Sequence, residues 1–200
     1  MGRHRKPALG HGRQPSDVRV LFTCIGRRVE LMNDFRRAGE RLGVRLEVHG
    51  ADATRLSPAI RLADKAHLVP RISSGKYVDS LLRIVKRSGI DLLIPLIDTE
   101  LPVLATAVDR FADVECTALI SAPSVIDTCR DKLATYRALK GAGIDTPKTW
   151  AWKELLKRKR HRFPYFLKPR AGSAAMGNYV VKNPAELRTF GRRVPEPIVQ

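Results

Sequence analysis

The sequence predicts an α/β protein whose residues 18 to about 122 form a Rossmann-like parallel sheet. Two observations carry that expectation. Short strand-like runs alternate with segments whose apolar residues recur at helical spacing, the order that right-handed βαβ crossovers and a mainly parallel sheet produce. Individual runs also have the texture of buried strands: VRVLFT at 18–23 and the continuously apolar LLIPL at 92–96. The texture changes after Pro123, where helices come in pairs and glycines break the chain, so a second region starts there.

Taken in order, Val18–Thr23 is expected as a strand and Val29–Leu42 as an amphipathic helix ended by Gly43. Val44–Val48 alternates like a strand. Ser57–Ala63 is a short helix with Pro58 in its first turn, and Ala66–Val69 a short strand closed by Pro70. Tyr77–Arg87 places Val78, Leu81, Leu82 and Val85 on one helical side. Leu92–Leu96 is a strand, Thr99–Phe111 one helix capped by Asp98 or Thr99, and Cys116–Ile120 a strand. Beyond Pro123 come helices at 124–129 and 131–140, a strand at 148–151 and a helical stub at 153–158. Two strand-like runs then flank a loop of small residues. A helix from Pro184 to about Gly191 and an extended PEPIVQ complete the chain.

Composition sets the class. An apolar fraction of 44% in 200 residues supports a real core. The longest apolar region, Ile90–Val108, is interrupted by Asp91, Asp98 and Glu100, so no membrane span and no membrane partner are expected. The basic N-terminus lacks an apolar signal core, and a cytoplasmic protein is the expectation. Cys24, Cys116 and Cys129 form no CxxC pair, which argues against zinc and fits a reducing compartment. The formal net charge is +17. Part of it lies in residues 1–17, read as a disordered basic tail carrying Arg3, Arg5, Lys6 and Arg13, and part in KRKRHR at 157–162. Few aromatics stand among these cations. No specific nucleic-acid partner is therefore expected, since charge alone attracts phosphate without reading sequence.

Four stretches carry candidate chemistry. The first βα turn, TCIGRRVEL, holds one glycine and so lacks a GxGxxG fingerprint; Arg27 at the following helix N-terminus is a candidate anion contact, or a solvated first-turn residue. In LIDTEL, Asp98 and Glu100 sit where a parallel strand meets its helix, either facing the crevice used by ligands of open sheets or serving as cap and dipole-favoured acid. Lys132 opens a helix, where a cation opposes the dipole unless something anionic lies nearby. In FLKPRAGSAAMGNYVV, Lys168 precedes the small residues, so this is no Walker loop; a strand would present the lysine while Gly172, Ser173 and Gly177 fold over phosphate. A polar hairpin loop with an edge lysine is the alternative reading.

These motifs occur in one order: VLFTCIGRRVEL, LADKAHLVPR, DLLIPLIDTELPVLA, DTCRDKLATYRALKGAGIDTPKTW, FPYFLKPRAGSAAMG and PIVQ. In that order and spacing the chain resembles the ATP-grasp superfamily, in its carbamoyl-phosphate-synthase-like ligase branch, from about Val18 to Gln200. The resemblance implies a pre-ATP-grasp domain over 18–122, then the first, incomplete α+β subdomain of an ATP-grasp fold over 123–200. It implies ATP and Mg²⁺ as cofactors, and a small-molecule carboxylate and an amine-type nucleophile as substrates. The implied activity is a carboxylate–amine ligase acting through an acyl phosphate. Lys132, Lys168, Gly172, Ser173 and Gly177 match ATP-contacting positions, while Arg27, Asp98 and Glu100 are candidate substrate contacts. Relatives read GSGSxG in the lid where this chain reads GSAAMG. They continue past the PIVQ strand to an adenine hinge and to Glu and Asn metal ligands, so the family's metal ligands are expected beyond residue 200. On that reading this chain is the catalytically incomplete N-terminal portion of the enzyme, with weak ATP affinity of its own. A non-catalytic nucleotide-binding or regulatory module, and a basic nucleic-acid-associated protein, are the rival classes.

Overall fold

A computed structural model describes residues 17–172 and 174–200. The basic tail up to Ser16, and Ser173 in the lid, lie outside the described residues. Asp17, counted with the tail from sequence, is instead the first residue of a strand and pairs with Arg45 at 2.8 Å. The chain divides into two compact units between Ile120 and Ser121.

The first unit runs β1 (Asp17–Thr23), α1 (Val29–Leu42), β2 (Arg45–Asp52), α2 (Pro58–Leu62), β3 (Lys65–Leu68), α3 (Tyr77–Ser88), β4 (Leu92–Pro95), α4 (Leu101–Ala105), α5 (Val108–Ala112) and β5 (Thr117–Ala118). Its five strands are parallel in the order β3-β2-β1-β4-β5. Strand alternation divides the core in two. Leu21 points into a cluster with Leu81, Val85, Leu93, Leu104 and Phe111, while Val20 and Phe22 point into another with Met32, Val48, Ile60 and Ile94. Both faces are thus covered, which is why the central strands read as apolar runs.

Two departures from the sequence expectation have local causes. β2 continues past Val48 to Asp52 because His49–Asp52 pair with Lys65–Leu68 of β3; Gly50 leaves room there, since a Cβ would lie 3.2 Å from both Ile25 Cδ1 and Ala63 Cβ. The single helix expected over 99–111 is broken into α4 and α5. The Thr106 hydroxyl donates to the Val103 carbonyl at 2.9 Å, and the Ala107 N–H turns to Leu104 O at 2.9 Å.

At one edge of this sheet His49 Nδ1 lies 2.9 Å from His67 Nε2, with the rings stacked. Burial, then the neighbouring His49 and Arg87, hold His67 down at about 4; burial also lowers His49, against the raising effect of Glu47. The unfolded chain then binds more protons than the folded one between about pH 6.5 and pH 4, so stability rises with pH across that window and is lost on acidification. Unfolding midpoints measured from pH 7 to pH 4 are expected to fall for the wild type and to fall less for His67→Gln; parallel curves would remove the histidine pair from the explanation.

The second unit runs α6 (Pro123–Arg130), α7 (Lys132–Gly141), β6 (Trp150–Ala151), α8 (Trp152–Leu156), β7 (Tyr165–Pro169), β8 (Tyr179–Val181), α9 (Pro184–Arg193) and β9 (Pro197–Val199). Its four strands are antiparallel in the order β6-β9-β7-β8. Leu167, Val181 and Val199 pack on one side of this sheet with Leu155, Leu187 and Val194. Asn183 caps α9 by accepting from Glu186 N at 2.9 Å, while the Glu186 carboxylate accepts from Lys182 N at 2.8 Å. The sequence suggested that this helix ends at about Gly191. The helix continues to Arg193, and Gly191 is instead the site where the Trp152 indole lies on it.

Candidate functional site

Alternation along β7 decides what the second unit can present. Leu167 is fully buried in the core, so its neighbours Phe166 and Lys168 face the other side. Register places Val180 opposite Phe166, and both are exposed. The Lys168 ammonium lies 5.6 Å from the Phe166 ring centroid. This face therefore offers an aromatic ring, an aliphatic neighbour and a cation. Phe166 was missed from sequence; the signal was its spacing of two residues from Lys168.

Lys132 comes to the same region from α7. Its Nζ donates to Gly172 O at 3.0 Å and to Arg170 O at 3.4 Å, and its backbone N–H donates to Arg170 O at 3.1 Å. Burial, then the charge of Lys132, lower the Lys168 ammonium from its ordinary range. Two cations that repel each other are relieved by an anion between them, as a phosphate group would be. The dipole-opposed position of Lys132 is thus compensated by two loop carbonyls.

Among the described residues of the loop after β7, four have positive φ. Gly172 has φ +129° and Gly177 has φ +73°. Ala174 and Ala175 have φ +56° and +57°, left-handed values that cost an alanine about 1 kcal/mol each. A Cβ on Gly177 would meet Pro169 Cγ at 3.2 Å, so Gly177 packs against the end of the strand that carries Lys168.

The three remaining candidates lie at the carboxyl edge of the first unit's sheet. Arg27 and Asp98 are exposed there. Glu100 is not. It is fully buried, accepting from Tyr77 OH at 2.6 Å, Leu96 N at 3.0 Å and Ile97 N at 3.3 Å. The crevice-facing placement considered for it gives way to an inward one, because its carboxylate satisfies donors that the strand end leaves unpaired. Nor does its side chain cap α4, although Glu100 occupies the N-cap position. Burial, then the Glu100 charge, push the Cys24 thiol up to about 12, and the same two causes raise the Tyr77 phenol. Asp52, unremarked from sequence, fixes the first βα turn: its Oδ2 accepts from Gly26 N at 3.0 Å and from Ser57 Oγ at 2.7 Å.

Residues 20–119 match the model of the family described as PylC-like, N-terminal domain. The chain belongs to that family. The fold through both units is that of the N-terminal part of ATP-grasp ligases. A biotin carboxylase from Halalkalibacterium halodurans is 27% identical over 177 residues, covering 82% of this chain and 38% of that protein. The L-amino acid ligase from Bacillus licheniformis superposes with a TM-score of 0.65 at 18% identity, over 91% of this chain and 43% of the other. The biotin carboxylase domain of the Hydrogenobacter thermophilus 2-oxoglutarate carboxylase, solved with MgADP, ADP and bicarbonate, superposes with a TM-score of 0.63 at 16% identity, over 90% and 43%. The chain thus spans less than half the length of each of these relatives. Among the described residues no helix is long and apolar enough to cross a membrane. No group of three or more His, Cys, Asp or Glu among them comes together to hold a metal ion.

Proposed function

We propose that this chain is the N-terminal portion of an ATP-dependent carboxylate–amine ligase, and that its second unit binds the nucleotide. The observation that carries this reading is the convergence of Lys132 and Lys168 at the base of a loop with left-handed backbone. Both cations fit the phosphates of ATP, and the exposed ring of Phe166 on the same strand face fits the flat, apolar adenine or ribose side. In the reaction a carboxylate oxygen attacks the γ-phosphorus and its bond to the β,γ-bridging oxygen breaks, releasing ADP. The amine nitrogen then attacks the acyl carbon, the carbon–oxygen bond breaks and phosphate leaves, the amine giving up a proton. Lys132 and Lys168 hold the phosphate oxygens and offset charge during transfer. Gly172, Ser173 and Gly177 supply the lid. Arg27 and Asp98 are assigned to the small-molecule substrates, and Glu100 to holding the strand end beside them. Mg²⁺, when bound with ATP, would add charge neutralisation at the phosphates.

The test is an ATP titration of the chain followed by amide chemical shifts. A single charge-assisted contact is worth about 1.5–3 kcal/mol, so Lys168→Ala is expected to weaken binding about ten- to a hundredfold. Unchanged affinity in a folded variant would sink the assignment.

A further inference from the structure

The loop that follows Lys168 is tied to α7 by an ion pair that the reaction itself does not call for. The Arg170 guanidinium makes a two-pronged contact with Asp131: Nε donates to Oδ1 at 2.8 Å and Nη2 donates to Oδ2. Asp131 is also the N-cap of α7, accepting from Leu133 N at 2.9 Å and Ala134 N at 3.1 Å. One carboxylate therefore fixes both the start of α7 and the residue two places beyond Lys168. The Arg170 guanidinium holds the Asp131 carboxyl down at about 2, so the pair stays charged through the physiological range. The backbone repeats the link, with Lys132 N–H on Arg170 O at 3.1 Å. Lys132 and Lys168 start from elements 36 residues apart in sequence, and a planar fork on a carboxylate is among the more directional side-chain contacts available.

We infer that Asp131 and Arg170 are positioning residues, a clamp that ties the start of α7 to the chain just beyond Lys168 and so sets the separation of the Lys132 and Lys168 ammonium groups. This inference rests on the nucleotide reading of the same site. Neither residue touches the phosphates; the clamp acts through the two lysines. In this state Lys132 Nζ is spent on the carbonyls of Arg170 and Gly172.

Asp131→Asn separates this from simple electrostatics by sign. Asparagine keeps an oxygen for Leu133 N and Ala134 N, so the cap survives, but the variant removes a negative charge beside the site. Coulomb attraction alone predicts tighter ATP binding. A clamp predicts weaker binding, about three- to tenfold, with Arg170→Lys weakened similarly because a point charge cannot reproduce the fork. The double variant Asp131→Asn/Arg170→Gln is expected to bind no worse than the poorer of its two single variants, and Arg188→Gln, an exposed charge change elsewhere in the unit, to bind nearly as the wild type. ATP titrated into each variant, followed by amide shifts with thermal midpoints alongside, reads all of these. Binding by Asp131→Asn at wild-type strength or tighter overturns the clamp. Should that variant fail to fold, unchanged binding by folded Arg170→Lys overturns it equally. If ATP shifts the wild-type amides and Lys168→Ala leaves those shifts and their titration unchanged, the nucleotide reading of this site fails and the clamp falls with it.

Discussion

Replacing Glu100 by alanine is expected to destabilise the first unit by about 2–5 kcal/mol, the scale for orphaning several buried hydrogen-bond donors and leaving a cavity. The side chain is fully buried, and its loss leaves the Tyr77 hydroxyl and the Leu96 and Ile97 amides without their acceptor. Each orphaned donor costs about 1–3 kcal/mol, and a cavity adds to that. Glu100→Gln is expected to cost less, since its amide oxygen can still accept from the two backbone amides. Tyr77→Phe is milder again, because Glu100 then keeps two of its three donors. Denaturant midpoints at pH 7 check the order Ala, then Gln, then the tyrosine variant. A loss below about 1 kcal/mol for Glu100→Ala would mean that water fills in at the strand end, and the residue would return to the candidates for direct substrate contact.

Gly191→Ala is expected to be the most damaging single-methyl change in the second unit. A Cβ at that position would lie 2.1 Å from Trp152 Cε2 and Nε1 and 2.7 Å from Cδ1, far inside contact distance. The indole cannot simply step aside, because its Nε1 donates to Leu187 O at 3.0 Å and its ring packs against the cluster around Leu155 and Leu187. Overpacking of this kind costs about 1–3 kcal/mol, and loss of the Trp152–Leu187 bond adds to it. On helix propensity alone the change would favour the folded state by about 1 kcal/mol. The sign of the shift in unfolding midpoint therefore decides between propensity and packing, and a stabilised variant would contradict the Trp152–Gly191 contact.

Much of the architecture was legible because local pattern and global fold agree. The apolar spacing from Val29 to Leu42 gave α1 with its bounds, and Gly43 ends it at φ +64°. The small-residue stretch after Lys168 marked the loop between β7 and β8. The rest was hidden wherever a partner lies far along the chain. Arg170 reads as one more arginine in a chain of net charge +17, and only the fold brings it to Asp131, 39 positions away. Phe166 reads as a core residue until the pairing of β7 shows which face Leu167 takes.

The sequence by itself determined the alternation of strands and helices, the α/β class, the change of architecture after Pro123 and the candidate lysines. Those rest on periodicity, turn residues and motif order, all of which act over a few residues. Tertiary structure alone decided that Glu100 turns inward, that the helix after Thr99 breaks at Thr106, that Gly191 is there for an indole, and that Lys132 reaches the carbonyls just beyond Lys168. Each of these depends on a buried group finding a hydrogen-bond partner, or a side chain finding room, and neither is settled until distant segments have packed together.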